Sequence, residues 1–345
     1  MRNKGFNKKK AFVTGVSGQD GPYLCKLLLD KGYEVIGGDR ANASGSLWRL
    51  EYLGIKDQVK IVDLELSEMT NIIQIFQDYK FDEVYNLASQ SFVASSFKVP
   101  LMTSDITGLG VARLLECIRR YNPDTKFYQA STSEMFGKVL ETPQSESTPF
   151  YPRSPYGVSK LYGHWMTINY RESYNLFACN GILFNHESPL RGEHFVTRKI
   201  SMHVAKYNNG NKNTLQLGNL SAKRDWGFAG DYVKGMWLML QNDKALDFVL
   251  STGVNHSVKE FVELAFNFID VHIVWEGENE KEVGRNKLTG EIIVEVNPRF
   301  YRPAEVETLL GDFSKAKKVL GWEPKMSFQE LVESMVSEDI KRLGN

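Results

Sequence analysis

Tyr156 and Lys160 stand four residues apart in the run Ser154-Pro155-Tyr156-Gly157-Val158-Ser159-Lys160. On a helix that spacing puts both side chains on one face. An ammonium held near a phenol lowers the phenol's pKa and makes the tyrosine a base toward a hydroxyl group. An amphipathic helix with an exposed lysine has the same spacing, so the pair carries weight only beside other groups. Ser131-Thr132-Ser133-Glu134, at the end of an apolar run, adds hydroxyls and a carboxylate suited to further proton transfer. Near the N-terminus, Gly15, Gly18 and Gly21 frame the stretch Gly15-Val16-Ser17-Gly18-Gln19-Asp20-Gly21. Glycines at this spacing let a backbone turn tightly and approach a pyrophosphate resting on a helix N-terminus. A plain tight turn would use glycines too; an apolar run before it and a helical stripe after it favour the nucleotide. Further on, Gly37-Gly38-Asp39-Arg40 ends a second apolar run. Aspartate there accepts a ribose hydroxyl, as NAD requires, and arginine accommodates the additional phosphate of NADP. Both residues are present, so this position leaves the two dinucleotides open.

These groups need a frame that brings them to one place. Apolar runs at 10–14, 33–38, 59–64, 83–88, 126–131 and 176–184 read as strands, and helical stripes fall at 21–31, 67–79, 104–121 and from Pro155 onward. Strands separated by helices of this length imply right-handed crossovers and a parallel sheet covered on both faces. The fold class is α/β: a Rossmann-type doubly wound parallel sheet with a smaller mixed α/β substrate-binding domain. After Phe184 the regularity breaks. Residues 185–226 are rich in Arg, Lys, Asn and Gly, 227–250 return to helix and strand, and 258–270 and 314–340 read as amphipathic helices. The charged stretch 276–291 reads as a surface loop or hairpin. The expected division is a dinucleotide domain over 1–184, with 227–252 returning to it, and a second domain built from 185–226 and 253–345.

Composition narrows the classes. Forty-two basic residues balance 42 acidic ones, which argues against wholesale attraction to nucleic acid or an anionic membrane. No apolar run approaches the ~20 residues a bilayer demands. The basic start, MRNKGFNKKK, reads as a short solvated tail rather than a secretory signal. Cys25, Cys117 and Cys179 are odd in number and widely spaced, as for buried thiols of a reducing, cytoplasmic compartment. The six histidines lack metal-binding spacing, so no metal is expected.

The glycine turn, the strand-end Ser131–Glu134 and Tyr156/Lys160 together resemble the extended short-chain dehydrogenase/reductase superfamily. Longer blocks narrow the match: YNLASQSFV at 85–93, FYQASTSEMFG at 127–137, TPFYPRSPYGVSKLYGHW at 148–165, GILFNHESPLRG at 181–192, FVTRKI at 195–200, AKRDWGFAGDYV at 222–233 and YRPAEV at 301–306. From residue 10 to 340 the chain resembles the GDP-mannose 4,6-dehydratase family. That resemblance implies oxidation at the sugar C4, loss of water across C5–C6 and return of the hydride to C6. Tyr156 would take the C4 hydroxyl proton, Thr132 would hydrogen-bond the C4 oxygen with Ser133 assisting, and Glu134 would remove the C5 proton. Lys160 would hold the nicotinamide ribose. The resemblance places a tightly bound, recycled NADP(H) against Gly15, Gly18, Gln19, Asp20, Gly21, Arg40, Asp63, Leu64, Leu87, Ser89, Tyr156, Lys160 and His186, with NAD open because of Asp39. It places the GDP-sugar against Asn185, Glu187, Arg191, Lys199, Arg224, Arg302 and Glu305. The family's usual pair of arginines after the second strand is here Arg40-Ala41, and Ser89 replaces a usual alanine. Family members pack the loop equivalent to Ser44–Arg49 across a subunit interface, which implies a homo-oligomer, dimer or tetramer. The alternatives are a GDP-D-glycero-D-manno-heptose 4,6-dehydratase, a 4-epimerase or 4-dehydrogenase of the superfamily, or a nucleotide-sensing module without catalysis. Glu134 argues against the epimerase, and the intact Thr132, Glu134, Tyr156 and Lys160 argue against the sensor.

Overall fold

A continuously apolar run such as Ala11-Phe12-Val13 needs cover on both faces, and helices on either side of a sheet provide it. The computed structural model, which describes residues 8–40, 47–300 and 308–344, has that arrangement. β1 (Lys10–Thr14) leads through α1 (Asp20–Asp30) to β2 (Glu34–Asp39) and past α2 (Trp48–Tyr52) to β3 (Lys60–Asp63). The chain then runs through α3 (Met69–Asp78), β4 (Glu83–Asn86), α4 (Val93–Ser96), α5 (Pro100–Ser104), α6 (Gly110–Tyr121), β5 (Lys126–Thr132), α7 (Pro155–Tyr174) and β6 (Ala178–Leu183). It continues as β7 (Asn185–Glu187), α8 (Val196–Asn208), β8 (Leu215–Leu217), β9 (Lys223–Arg224), β10 (Trp226–Phe228), α9 (Ala229–Gln241) and β11 (Phe248–Leu250). Last come β12 (His256–Ser257), α10 (Val258–Asn267), β13 (Ile273–Glu276), β14 (Val283–Asn286), β15 (Ile292–Val296), α11 (Ser314–Leu320) and α12 (Phe328–Gly344).

Among the described residues, seven strands form one parallel sheet in the order β11-β6-β5-β4-β1-β2-β3. The chain winds outward from β1 to β3 and restarts on the other side of β1 with β4. That reversal opens a crevice at the carboxyl ends of β1 and β4. Thr14 closes its floor: its hydroxyl donates to Asn86 Oδ1 at 2.7 Å and accepts from the N–H groups of Leu87 and Ala88 at 3.1 Å each.

The helix expected over 104–121 differs from the one found. Pro100 starts it, and residues Asp105–Leu109 form a π turn between α5 and α6. The turn seats Gly108 so close to α7 that an added Cβ would lie 3.4 Å from the Ser159 carbonyl oxygen. Periodicity does not encode one extra residue in a turn; the packing against α7 does. On α7 itself the local signals are plain: Ser154 caps it, accepting from the Gly157 N–H at 3.0 Å, and Pro155 follows in the first turn.

A second core gathers α8, α10 and α12 beside a smaller sheet of order β13-β14-β15-β8. The charged stretch 276–291 is the hairpin side of that sheet, with β14 antiparallel to both neighbours. β11 returns to the large sheet beside β6, and Ala316 and Trp322 also lie in the large sheet's core. Among the described residues no helix is long and apolar enough to cross a membrane.

Candidate active site

The crevice continues into a cleft of about 460 Å³. The glycine turn forms one wall. Gly15 has φ +69°, and a Cβ there would sit 2.9 Å from the Ala88 backbone. At Gly21 a Cβ would come within 2.7 Å of the Val16 backbone, so α1 starts hard against the turn. Gln19 and Asp20 stitch this wall to the segment after β6. Gln19 Nε2 donates to the His186 carbonyl at 3.0 Å, Ser188 Oγ donates to Gln19 Oε1 at 3.0 Å, and Asp20 Oδ2 lies 2.8 Å from His186 Nε2.

The opposite wall is the end of β5 and the start of α7. Thr132, Ser133, Glu134, Tyr156 and Lys160 all line the cleft. The Glu134 N–H donates to Thr132 Oγ1 at 3.2 Å, and the Thr132 hydroxyl also hydrogen-bonds Tyr156. Lys160 Nζ donates to the Ala130 carbonyl at 2.8 Å and lies 5.8 Å from the tyrosine ring centre. Tyr156 departs from expectation here. Burial pushes its phenol up rather than down, and the Thr132 hydrogen bond offsets only part of that. Lys160 is itself pushed down to about 8 by burial, with Asp20 pulling the other way. Removal from water outweighs the neighbouring charge for both groups.

Between the walls runs the segment that follows β7. Arg191 lines the cleft, with its guanidinium 3.5 Å over the Phe195 ring and Nε 2.9 Å from Glu187 Oε2. Glu187 also accepts from Thr197 Oγ1 at 2.6 Å and does not line the cleft; it orients Arg191 from behind. The carbonyls of three successive residues here are each held by arginine. Arg198 Nη1 donates to Pro189 and Arg191 at 2.9 and 2.8 Å, Arg342 Nη1 to Pro189 at 2.6 Å, and Arg49 Nε to Leu190 at 2.6 Å. Arg49 Nη1 reaches the Ser17 carbonyl as well, at 2.9 Å, so one side chain joins the glycine turn to the Arg191 segment. The guanidiniums of Arg49 and Arg342 both lie over the Trp48 ring, at 4.6 and 5.2 Å from its centre. Trp48 and Arg49 of the Ser44–Arg49 loop thus make contacts within the chain, and residues 44–46 of that loop lie outside the described residues.

Of the residues singled out from sequence, Gly15, Gly18, Gln19, Asp20, Gly21, Arg40, Leu64, Leu87, Ser89, Asn185, His186 and Arg191 line the cleft along with the Thr132–Lys160 group. Asp63, Lys199 and Arg224 do not. Asp63 is exposed at the end of β3, Lys199 lies 3.5 Å over the Phe300 ring, and Arg224 is buried on β9. Arg302 and Glu305 lie outside the described residues. Sequence reading missed Gln90, Met102, Ile106 and Phe195 as lining residues, and Arg49, Arg198 and Arg342 behind them. Met102 and Ile106 have helical spacing and read as core; Arg198 and Arg342 had no local signal, and Arg49 read as part of an interface loop.

Fold and site define an enzyme of the short-chain dehydrogenase/reductase class, with a dinucleotide turn facing a Thr–Glu–Tyr–Lys constellation. A family described as GDP-mannose 4,6 dehydratase matches residues 12–335. The GDP-mannose 4,6 dehydratase of Cricetulus griseus is 53% identical over 98% of this chain and 93% of its own, and the Homo sapiens one is 52% identical over 96% and 91%. The solved dTDP-glucose 4,6-dehydratase of Streptomyces venezuelae, with NAD and TYD bound, superposes with TM-score 0.82 at 20% identity over 97% of this chain and 98% of its own, and so shares the fold. The chain belongs to the GDP-mannose 4,6-dehydratase family, whose members are hydro-lyases.

Proposed function

We propose that this chain converts GDP-D-mannose to GDP-4-keto-6-deoxy-D-mannose. The observation that carries the reading is the meeting of Thr132, Glu134, Tyr156 and Lys160 in the cleft walled by the glycine turn. The residues present fit a nicotinamide dinucleotide. Gly15 and Gly21 have no room for a side chain, and Asp39, which lines the cleft, has its Oδ2 buried without a hydrogen-bond donor among the described residues. Gly15, Gly18, Gln19, Gly21 and Leu87 would hold the dinucleotide, with Leu64, Ser89 and Lys160 beside it. When bound, it would supply the acceptor for the C4 hydride and the donor of that hydride to C6. We take it to be NADP(H), because Arg40 lines the cleft where the extra phosphate would need a cation; the neighbouring Asp39 also allows NAD.

Tyr156 takes the C4 hydroxyl proton as its phenolate, a form that burial makes costly and that the Lys160 ammonium beside it favours, while Thr132, with Ser133 beside it, steadies the C4 oxygen. A C4 ketone acidifies C5–H; Glu134 then takes the C5 proton and delivers a proton to the departing C6 hydroxyl. Asn185 and Arg191 meet the sugar diphosphate, and Lys199 and Arg224 serve the nucleotide from further out. Arg302 and Glu305 belong to the same assignment. The chain works as a homo-oligomer, and its three buried free thiols suit the cytoplasm.

The test is parallel incubation with GDP-mannose and GDP-D-glycero-D-manno-heptose, read by mass spectrometry. Loss of water from GDP-mannose, with catalytic cofactor sufficing, is expected. Stoichiometric build-up of reduced cofactor without water loss would make the enzyme a 4-dehydrogenase, and preferential dehydration of the heptose would reassign the substrate.

A further inference from the structure

His186 has an acceptor on each side of its ring. Nδ1 lies 2.8 Å from the Phe184 carbonyl oxygen and Nε2 lies 2.8 Å from Asp20 Oδ2. A carbonyl can only accept, so Nδ1 carries a proton. Asp20 is the first residue of α1, where the open N–H groups favour a carboxylate over a carboxylic acid, and Gln19 Nε2 donates to its other oxygen at 3.1 Å. Nε2 therefore also faces an ionised acceptor, and the ring must carry both protons. The other charged groups near the pair are Arg191 from the following segment, which supports Asp20 and opposes the imidazolium, and Lys160 from α7, whose ammonium also favours the Asp20 carboxylate from across the cleft. From α9, the Tyr232 ring stacks on the imidazole at 4.6 Å and 22°. Burial works against both charges, yet the contact holds Asp20 below its ordinary range and His186 above.

Asp20 stands in an awkward place. It belongs to the turn whose N–H groups would receive a diphosphate, and a bare carboxylate there repels one. We infer that His186 is a standing imidazolium that neutralises Asp20, so that the glycine turn is stitched to the crossover after β6 and still accepts a dinucleotide diphosphate. His186 and Asp20 are then a positioning pair, with no part in proton transfer to the sugar. The inference rests on the dinucleotide assignment above and goes beyond it, because it fixes a charge state and assigns that charge to a carboxylate of the chain.

Two measurements test it. Nitrogen-15 NMR of the ligand-free protein near neutral pH should show both His186 ring nitrogens protonated; a neutral ring would overturn the inference. Calorimetric titration with NADP+ and NAD+ should show His186→Asn binding about tenfold or more weakly than the parent, the cost of leaving a carboxylate uncompensated beside phosphate. Adding Asp20→Asn to that variant should restore most of the affinity, which a merely lost contact would not. A double variant no tighter than His186→Asn, or a His186→Asn protein that binds like the parent, would overturn it. A parent that binds neither dinucleotide would overturn the cofactor assignment and the diphosphate part of the inference with it, while the NMR result judges the charge state separately.

Discussion

Lys160 keeps its ammonium at a cost set by burial, which brings its pKa down to about 8. A group whose pKa is lowered loses its charge as pH rises through that value. Activity that depends on the ammonium should therefore decline on the alkaline side, and the pH profile of kcat/KM should show a limb near pH 8. Lys160→Arg, which cannot deprotonate in this range, should remove that limb from whatever activity remains. Tyr156 and Glu134 separate by the step each serves. Tyr156→Phe should stop both oxidation and water loss. Glu134→Gln should lower turnover by about 10²–10⁴ and stall after hydride transfer, seen as enzyme-bound near-ultraviolet absorbance with little solvent deuterium at C5. Parent-rate dehydration by Glu134→Gln would make Glu134 structural.

At the scale of elements, the cleft depends on pieces that never touch it. Arg198 of α8 and Asp339 of α12 form a two-pronged pair, Nε to Oδ2 at 2.8 Å and Nη2 to Oδ1 at 2.7 Å, with 3% and 0% of their side chains exposed. Arg198 in turn holds the Pro189 and Arg191 carbonyls, so the last helix fixes the segment that carries Arg191. Asp339→Ala leaves a buried guanidinium without its partner and should cost about 3–5 kcal/mol in chemical denaturation. The same variant should raise KM for the GDP-sugar more than it lowers kcat, because Arg191 would lose its anchorage. The glycine turn makes the matching case at the other wall. Gly21→Ala forces a Cβ against the Val16 backbone, so α1 must shift, at about 1–3 kcal/mol of stability and with weaker dinucleotide binding.

At the scale of the whole molecule, two adjoining helices expose large apolar side chains together. Leu101 of α5 is 84% exposed, and Val158 and Trp165 of the adjoining α7 are each 55% exposed. α7 presents Tyr156 and Lys160 on its inner side, so an assembly through this face would brace the catalytic helix from behind. The parent is expected to be a homo-oligomer by light scattering at micromolar concentration, and Leu101→Glu combined with Trp165→Glu is expected to release smaller species. A monomeric parent would refute the assembly.

Spacing and alternation along the chain determined the parallel sheet, the glycine turn, the Ser154-Pro155 start of α7 and the strand-end Thr132–Glu134. The turn, the cap and the strand-end motif rest on residues near one another in sequence; the sheet was legible because its apolar strands alternate with helices, although its pairings, such as Ala11 with Glu83, are long-range. Only the tertiary structure decided the rest. Asp20 meets His186 across 166 residues, and Arg198 meets Asp339 across 141. Charges in a sequence carry no record of which partner they find when packing closes over them. The direction of the Tyr156 shift was hidden for the same reason. A lysine four residues away is visible in sequence, but the removal of both groups from water is a property of everything packed around them.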